Sequence, residues 1–326
     1  MCYNNILKII SNSLCLPAAS KVNQESIYAI ADSYVWLESF FVHPEIDHNG
    51  ERRGCMRTTE EISVILPVYN GESTLDMAIR SILEQRDADL QLYICDDAST
   101  DATWELMQSW AERDKRVTCL HNETNLRAAE ARNRCLAIAR GRYIALMDGD
   151  DYSHPDRLKR QRDYMDACPD LAFTGTRGRF FNKEPGDLEE DYWFVRQPQP
   201  KDFLMTLPFV HASLMFRREA LEAVGGYDAG RWAWRSEDYE LLMRLYANGY
   251  QGENIDRPLY YIRLDEETHR RRKYRYRLNE CRVKWSGFSR LGLMPRGIPY
   301  ALKPLIVGVV PNKVLESMKR AYYLDQ

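Results

Sequence analysis

From Glu61 onward, apolar and polar positions follow two patterns that succeed one another regularly. Four short runs carry apolar residues on both faces: 62–66, 90–95, 117–120 and 143–147. They have the length of strands buried on both sides and are too short for buried helices. Between them lie amphipathic segments. Leu75, Ala78, Ile79, Ile82 and Leu83 fall at helical spacing behind Ser73 or Thr74, either of which can cap. Trp104, Met107, Trp110 and Ala111 repeat that spacing, and 128–140 forms a third helix, with Gly141 expected in the left-handed position that ends it.

Strands alternating with helices at this spacing predict an α/β domain with a parallel sheet wound by right-handed crossovers. Three strand ends then share one rim: Pro67 to Glu72, Asp96-Asp97, and Asp148-Gly149-Asp150-Asp151. In open parallel sheets ligands bind beyond the carboxyl ends of the strands. Three carboxylates within four residues repel one another unless a cation or hydrogen-bond donors neutralise them, and hard divalent cations prefer such oxygen ligands. A solvated acidic turn is the plainer alternative.

The second half is less regular. A helix is expected over 155–167, with Pro155 in its first turn, and short strands over 171–174 and 212–216. The stretch 177–200, rich in charge, proline and aromatics, reads as a mobile loop on the acceptor side. Ser236 precedes Glu237-Asp238 and a helix bearing Leu241, Leu242, Leu245 and Tyr246. An acidic pair there is favoured by the helix dipole alone.

Composition narrows the class. The 326 residues carry 45 Lys and Arg against 48 Asp and Glu, a formal net charge of -3. The charge is uneven: from His269 to Gln326 the balance is +11, leaving -14 on the rest. The chain as a whole therefore has no polycationic character suited to nucleic acid. Eight cysteines are scattered without paired spacing, which suits a reducing cytoplasm. No apolar run is long enough to span a membrane, and the first twenty residues do not read as a signal peptide. Within 1–60 the segment Tyr28 to Phe41 can form one amphipathic helix, and nothing there suggests chemistry.

Five stretches in order resemble glycosyltransferase family 2: Ser63-Val64-Ile65-Leu66-Pro67-Val68-Tyr69-Asn70, Asp96-Asp97-Ala98-Ser99-Thr100-Asp101, Ala131-Arg132-Asn133, Leu146-Met147-Asp148-Gly149-Asp150-Asp151 and Ser236-Glu237-Asp238-Tyr239. The resemblance covers 61–264. It implies the GT-A fold, a mostly parallel sheet flanked by helices, with 1–60 as an N-terminal extension and 265–326 as a basic, partly helical C-terminal extension.

By position the resemblance implies that Pro67, Tyr69, Asn70 and Glu72 line the nucleotide pocket and that Asp97 accepts from the base. Asp148 lies near the ribose, with Gly149 in the same nucleotide-sugar site, and Asp150 holds Mn2+ or Mg2+. Arg132 is a candidate for the phosphates, with a solvated helical arginine as the plainer alternative. Asp238 is the general base. His211, Trp234 and Glu237 are acceptor-side candidates, as is Trp232, and His269 is a candidate for completing the metal shell or touching the diphosphate. For His211 an ordinary hydrogen-bonded histidine is an equal alternative, and for the tryptophans core packing. One departure stands out: Asn125-Leu126-Arg127-Ala128 lies where many members have a glycine after the asparagine. The motif and membrane spans of processive synthases are lacking, so a single sugar is expected to be added.

The implied activity is transfer of one sugar, with inversion, from a nucleotide-diphosphate sugar to a saccharide or lipid-linked saccharide acceptor, in building cell-surface polysaccharide or glycoconjugate. A catalytically silent nucleotide-sugar-binding regulator on the same fold is the alternative, disfavoured by the intact Asp148, Asp150 and Asp238. A nucleotidyltransferase would show a Gly-rich, basic phosphate loop after the first strand, where this chain has Pro67-Val68-Tyr69-Asn70. The basic tail interleaves charge with apolar residues between Ile298 and Tyr323, which suits a peripheral enzyme on an anionic membrane surface at the cytoplasmic face.

Overall fold

A computed structural model describes residues 60–192, 194–264 and 274–309. The expectations for Tyr28 to Phe41, for His269 and for the tail beyond 309 lie outside the described residues. The first half alternates as its pattern requires: β1 (Ile62–Val68), α1 (Leu75–Leu83), β2 (Leu90–Asp96), α2 (Thr103–Arg113), β3 (Val117–His121), α3 (Arg127–Ile138) and β4 (Tyr143–Leu146). Then follow β5 (Tyr152–Ser153), α4 (Arg157–Ala167), β6 (Phe173–Phe181), β7 (Met215–Arg217), α5 (Arg218–Ala223), α6 (Glu237–Ala247), β8 (Gly252–Arg263), α7 (Tyr274–Arg290) and α8 (Ile298–Val309). All eight strands form one sheet in the order β3-β2-β1-β4-β7-β6-β8-β5.

The pairs β1 with β2, β1 with β4 and β2 with β3 are parallel. β7 runs antiparallel to both β4 and β6, a reversal the alternation does not reveal, because a three-residue strand carries no period of its own. The core lies on both faces. Along β1, Ile62, Val64, Leu66 and Val68 pack with α1 and Met107. Ile65 faces the other way, toward Cys135 of α3 and Leu241, Leu242 and Leu245 of α6. Side chains on a strand point alternately to opposite faces, so the central strands carry buried apolar residues on both faces, as their sequence demands.

Four local expectations change. Thr74 precedes α1 but makes no capping bond; its hydroxyl donates instead to the Gly149 carbonyl at 2.9 Å, tying α1 to the acidic turn. Gly141 is not among the residues of positive φ. It is required by close approach, since a Cβ there would stand 2.5 Å from the Ser63 backbone nitrogen. The strand expected over 212–216 is split into a 3-10 turn, His211–Ser213, and β7.

The stretch 177–200 is fastened rather than loose. β6 continues through Phe181, and Asp191 pairs with Arg177 at 3.2 Å and Arg179 at 2.6 Å. The Tyr192 amide donates to the Gly178 carbonyl at 2.8 Å, and Asn254 donates to the carbonyls of Val195 and Pro208. Arg177 and Arg179 of β6 share Asp191 in an ion-pair lattice along the strand, which a composition-based reading takes for loop.

Gly141→Ala should lower stability by roughly 1–3 kcal/mol, the usual cost of forcing atoms into a filled site. Urea unfolding followed by circular dichroism measures it, and an unchanged midpoint would refute the close-approach explanation.

Candidate active site

The strand ends converge as the topology requires. After β1 the chain turns through Asn70, whose φ of 53° is left-handed. The Asn70 amide donates to Ser99 Oγ at 2.9 Å, and its Oδ1 accepts from the Thr100 amide at 2.8 Å. Glu72 Oε2 accepts from the Ala102 amide at 2.9 Å. Both side chains therefore zip the first loop to the second, while Tyr69 is left half exposed. Asp97 is buried and accepts from Asn122 Nδ2 and from the amides of Leu126 and Arg127, at 2.7 to 2.8 Å. Its carboxylate shapes the 122–127 loop before any ligand arrives.

At the end of β4, Asp148 Oδ1 accepts from Arg132 Nη2 at 2.7 Å, and the Asp148 amide donates to the Tyr260 hydroxyl at 3.2 Å. Gly149 packs on Val68, and Asp150 is exposed. The Asp150 carbonyl accepts from Arg263 Nε at 2.9 Å, and Asp151 Oδ1 from the Arg263 amide at 2.9 Å. Burial, with the Asp150 and Asp148 charges beside it, pushes the Asp151 carboxyl well above the usual range. Beneath the turn, the fully buried Arg157 donates to the Leu146 carbonyl at 3.0 Å and lies 5.1 Å from the Tyr260 ring centre.

The acidic pair at the start of α6 faces this turn across a cavity of about 500 Å³. Arg132, Asp148, Asp151, His211, Arg235, Glu237 and Asp238 line it. Arg132 bridges the two walls: Nη1 stands 4.0 Å from Glu237 Oε1, opposite its bond to Asp148. Glu237 Oε2 is buried and has no hydrogen-bond partner, so it offers an acceptor to a ligand. The Asp238 carboxyl is pushed up to about 6, first by burial and then by the Glu237 charge beside it. That is near the value a general base needs at neutral pH.

The remaining candidates separate. His211 Nε2 lies 3.0 Å from the Tyr227 hydroxyl, and burial, with the Arg132 charge, holds its pKa well below the usual value. It is a neutral wall residue. Trp234 does not line the cavity; its ring lies under the Arg127 guanidinium at 4.1 Å. Trp232 is exposed, with the Arg282 guanidinium 4.0 Å from its ring centre.

Tyr227, Arg157, Tyr260 and Arg263 carry no motif and escape sequence reading. For Arg157 and Tyr260 the cause is the same: their partners are main-chain groups of a distant segment. Tyr227 is fixed by Asn133, which donates to its carbonyl at 2.9 Å and accepts from its amide at 2.8 Å. That exchange explains why an asparagine follows Arg132.

Among the described residues no group of three or more His, Cys, Asp and Glu can hold a metal ion alone. The carboxylates nevertheless suit one shared with a ligand. Mg2+ and its kin are bound through one or two carboxylates with substrate phosphates completing the shell, and Asp148 and Asp150 supply such a set on a rim whose mutual repulsion is recorded in Asp151.

Residues 63–225 match the family model for glycosyl transferase family 2, and 209–273 that for the N-terminal domain of galactosyltransferase. EpsE of Bacillus subtilis, named a putative glycosyltransferase, is 33% identical over 83% of this chain and 97% of its own length. The Escherichia coli enzyme WfaP, a UDP-Glc:alpha-D-GlcNAc-diphosphoundecaprenol beta-1,3-glucosyltransferase, is 26% identical over 69% of this chain and 85% of its own. Among solved structures, S. aureus TarS 1-349 in complex with UDP is similar at a TM-score of 0.57 and 19% identity, covering 77% of this chain and 75% of that one. Mannosyltransferase PcManGT from Pyrobaculum calidifontis, in complex with GDP-Man and Mn2+, gives 0.54 and 20%, covering 91% and 88%. The last two show the fold, GT-A.

The raised Asp238 pKa has a consequence for stability. A carboxyl held above its unfolded value binds more protons in the folded state, so its ionisation removes stability as pH rises through about 4 toward 6. Asp238→Asn should therefore raise the melting temperature at pH 7.5, with the gain shrinking toward pH 4. A variant that melts lower at pH 7.5 would contradict the assigned environment.

Proposed function

Because the chain belongs to glycosyltransferase family 2, we propose that it transfers one sugar from a nucleotide-diphosphate donor to an acceptor hydroxyl with inversion, in making a cell-surface polysaccharide or glycoconjugate. The observation that carries this reading is the single cavity with Asp148 on one wall and Asp238 on the other, joined through Arg132. The nucleotide occupies the rim formed by Pro67, Tyr69, Asn70, Glu72 and Asp97. Asp148 and Gly149 position the ribose, and Asp150, with Asp148 nearby, would hold a divalent ion that supplies Lewis-acid stabilisation of the departing diphosphate. Arg132 adds a fixed positive charge where negative charge develops, and needs no reorganisation to do so.

Asp238 takes the proton of the acceptor hydroxyl as that oxygen attacks the anomeric carbon from the side opposite the leaving group. At pH 7 a carboxyl near 6 is largely ionised and still basic enough to accept. Glu237 Oε2 is free to accept from an acceptor hydroxyl and hold it in line. His211 shapes the floor, and Trp234 braces the loop in front of the acidic pair.

The acceptor is a saccharide, free or lipid-linked, and the enzyme works at the cytoplasmic face of a membrane. Among the described residues no helix is long and apolar enough to cross one. The α7 and α8 pair supports surface attachment instead. Val283, Phe288 and Ala301 enter the core, whereas Leu278 and Trp285 of α7 and Leu302 and Ile306 of α8 are exposed, interspersed with exposed Arg282 and Lys303. Apolar side chains beside basic ones gain from both the interface and anionic headgroups, roughly 1 kcal/mol for each cation.

Asp238→Asn should reduce kcat by about two to four powers of ten while donor affinity stays near normal. The wild-type kcat/KM should fall below pH of about 6 as Asp238 is protonated. Equal loss of donor affinity, or a flat acid limb, would remove Asp238 from the role of base. For the surface, Trp285→Ser with Ile306→Ser should abolish co-sedimentation with anionic vesicles at low salt. Recovery of the wild-type protein in the supernatant under those conditions would refute attachment through this face.

A further inference from the structure

Asp97 has little room left for a nucleotide base. Each oxygen of a carboxylate offers about two lone-pair sites. Asp97 Oδ1 accepts from Asn122 Nδ2 at 2.8 Å and from the Leu126 amide at 2.7 Å, which fills it. Among the described residues, Oδ2 accepts from the Arg127 amide alone, at 2.7 Å. A base N–H that reaches this carboxylate therefore shares an oxygen with Arg127.

Arg127 opens α3 at a φ of 76°, a left-handed conformation that strains a residue with a Cβ and that glycine adopts freely. Strained positions persist where the surroundings over-determine them, and function often uses the result. The bond to Asp97 involves only the main chain, so it explains the conformation and not the choice of side chain. The guanidinium lies over Trp234, 4.1 Å from the ring centre.

Trp234 stands four residues before Asp238, and α3 holds the segment between them at two points. Arg132 of that helix approaches Glu237 at 4.0 Å, and Arg127 meets Trp234. Between the two contacts Arg235 takes a φ of 66°, a left-handed step that turns the chain between Trp234 and the cavity-lining Glu237 and Asp238. The Ser236 amide donates to the Ala233 carbonyl at 2.8 Å, and Asn279 of α7 donates to the Trp234 carbonyl at 3.3 Å. Main-chain bonds thus fix the tryptophan, and its ring meets the residue that shares Asp97 with the nucleotide.

We infer that Arg127 is a positioning residue: its guanidinium, stacked on Trp234, sets Asp238 in place relative to the nucleotide held by Asp97. This rests on the reading of Asp97 as the partner of the nucleotide base and of Asp238 as the general base. Without the stack, Arg132 still holds Glu237, but the Trp234 end of the segment loses its tie to the nucleotide loop. Rate is steeply sensitive to small displacements of a reacting group, whereas the bonds that Asp97 makes to a nucleotide stay in place. The loss therefore belongs in kcat and not in donor affinity.

The test uses the full chain with Mn2+ and three donors, UDP-glucose, UDP-N-acetylglucosamine and GDP-mannose, with water as acceptor and released nucleoside diphosphate as the signal. For the donor turned over fastest, Arg127→Gly should lower kcat about threefold to thirtyfold, the factor a cation on a tryptophan face supplies. The donor KM should change by less than about threefold. Glycine accepts the left-handed turn, so this variant removes the side chain without straining the backbone. Arg127→Lys, which keeps a cation, should recover most of the rate, and Arg127→Gly should cost nothing further in a Trp234→Leu background, because the two side chains act as one. Binding of UDP or GDP should also shift the tryptophan emission of wild type. The part of that shift lost in Trp234→Leu should be lost equally in Arg127→Gly, and this titration decides the matter if water is too poor an acceptor. A raised donor KM with unchanged kcat would make Arg127 a nucleotide-binding residue and overturn the inference. So would a lysine variant as slow as the glycine one, or a double variant in which both losses add in full. Wild type that binds neither UDP nor GDP would overturn the transferase reading itself, and this inference with it.

Discussion

A buried guanidinium held between two carboxylates governs the geometry of this site. Arg132 is only slightly exposed, bonds Asp148 on one side and approaches Glu237 on the other. Desolvating such a charge costs several kcal/mol, and only close, well-oriented partners offset it. The Asp148 and Glu237 charges suffice here, for the Arg132 pKa lies above its ordinary value despite burial. The cost of separating these groups fixes the distance between β4 and the start of α6, and with it the width of the cavity. Asn133 adds a second restraint by gripping the Tyr227 backbone, and the Arg132 guanidinium lies 5.6 Å from the Tyr227 ring.

The same constraint sets the electrostatic division of labour. Asp148 faces a cation directly, whereas Asp238 is one residue beyond Glu237, and the nearer Glu237 charge outweighs the more distant Arg132. Two carboxylates lining one cavity therefore have different surroundings: Asp148 is tied by a direct ion pair, and the Asp238 carboxyl is raised to about 6. Beneath the acidic turn, Arg157, Tyr260 and Arg263 hold its main chain from below and from the side. The turn needs this scaffold because its own charges push it apart.

What was legible in the sequence follows from the range of each interaction. The parallel half was legible because β1, β2 and β4 are apolar on both faces and the intervening helices are amphipathic. The carboxylates were legible because Asp148 to Asp151 and Glu237-Asp238 are contiguous motifs at element ends. The antiparallel β7 and the lattice of Arg177, Arg179 and Asp191 were not, since their pairing is set by neighbours distant in sequence. Gly141 was given the wrong reason: its place after a helix suggested a left-handed cap, while the fold needs its missing Cβ. Asn70, Glu72 and Asp97 showed their position but not that their side chains also bind protein amides. Arg127 was visible only as a departure from a family pattern, and its left-handed backbone emerges from the bond to Asp97.

The central claim is that the acidic turn and the rim above it bind a nucleotide-diphosphate sugar with a divalent cation. Thermal denaturation across a panel of nucleotide sugars, with and without Mn2+, tests it most directly, since a ligand that binds only the folded state raises its melting temperature by mass action. At least one nucleotide sugar should stabilise the wild-type chain in the presence of Mn2+ and much less in its absence. Asp150→Ala, folded and melting near wild type, should lose that stabilisation. Stabilisation by no member of the panel, or an Asp150→Ala response equal to wild type, would contradict the account.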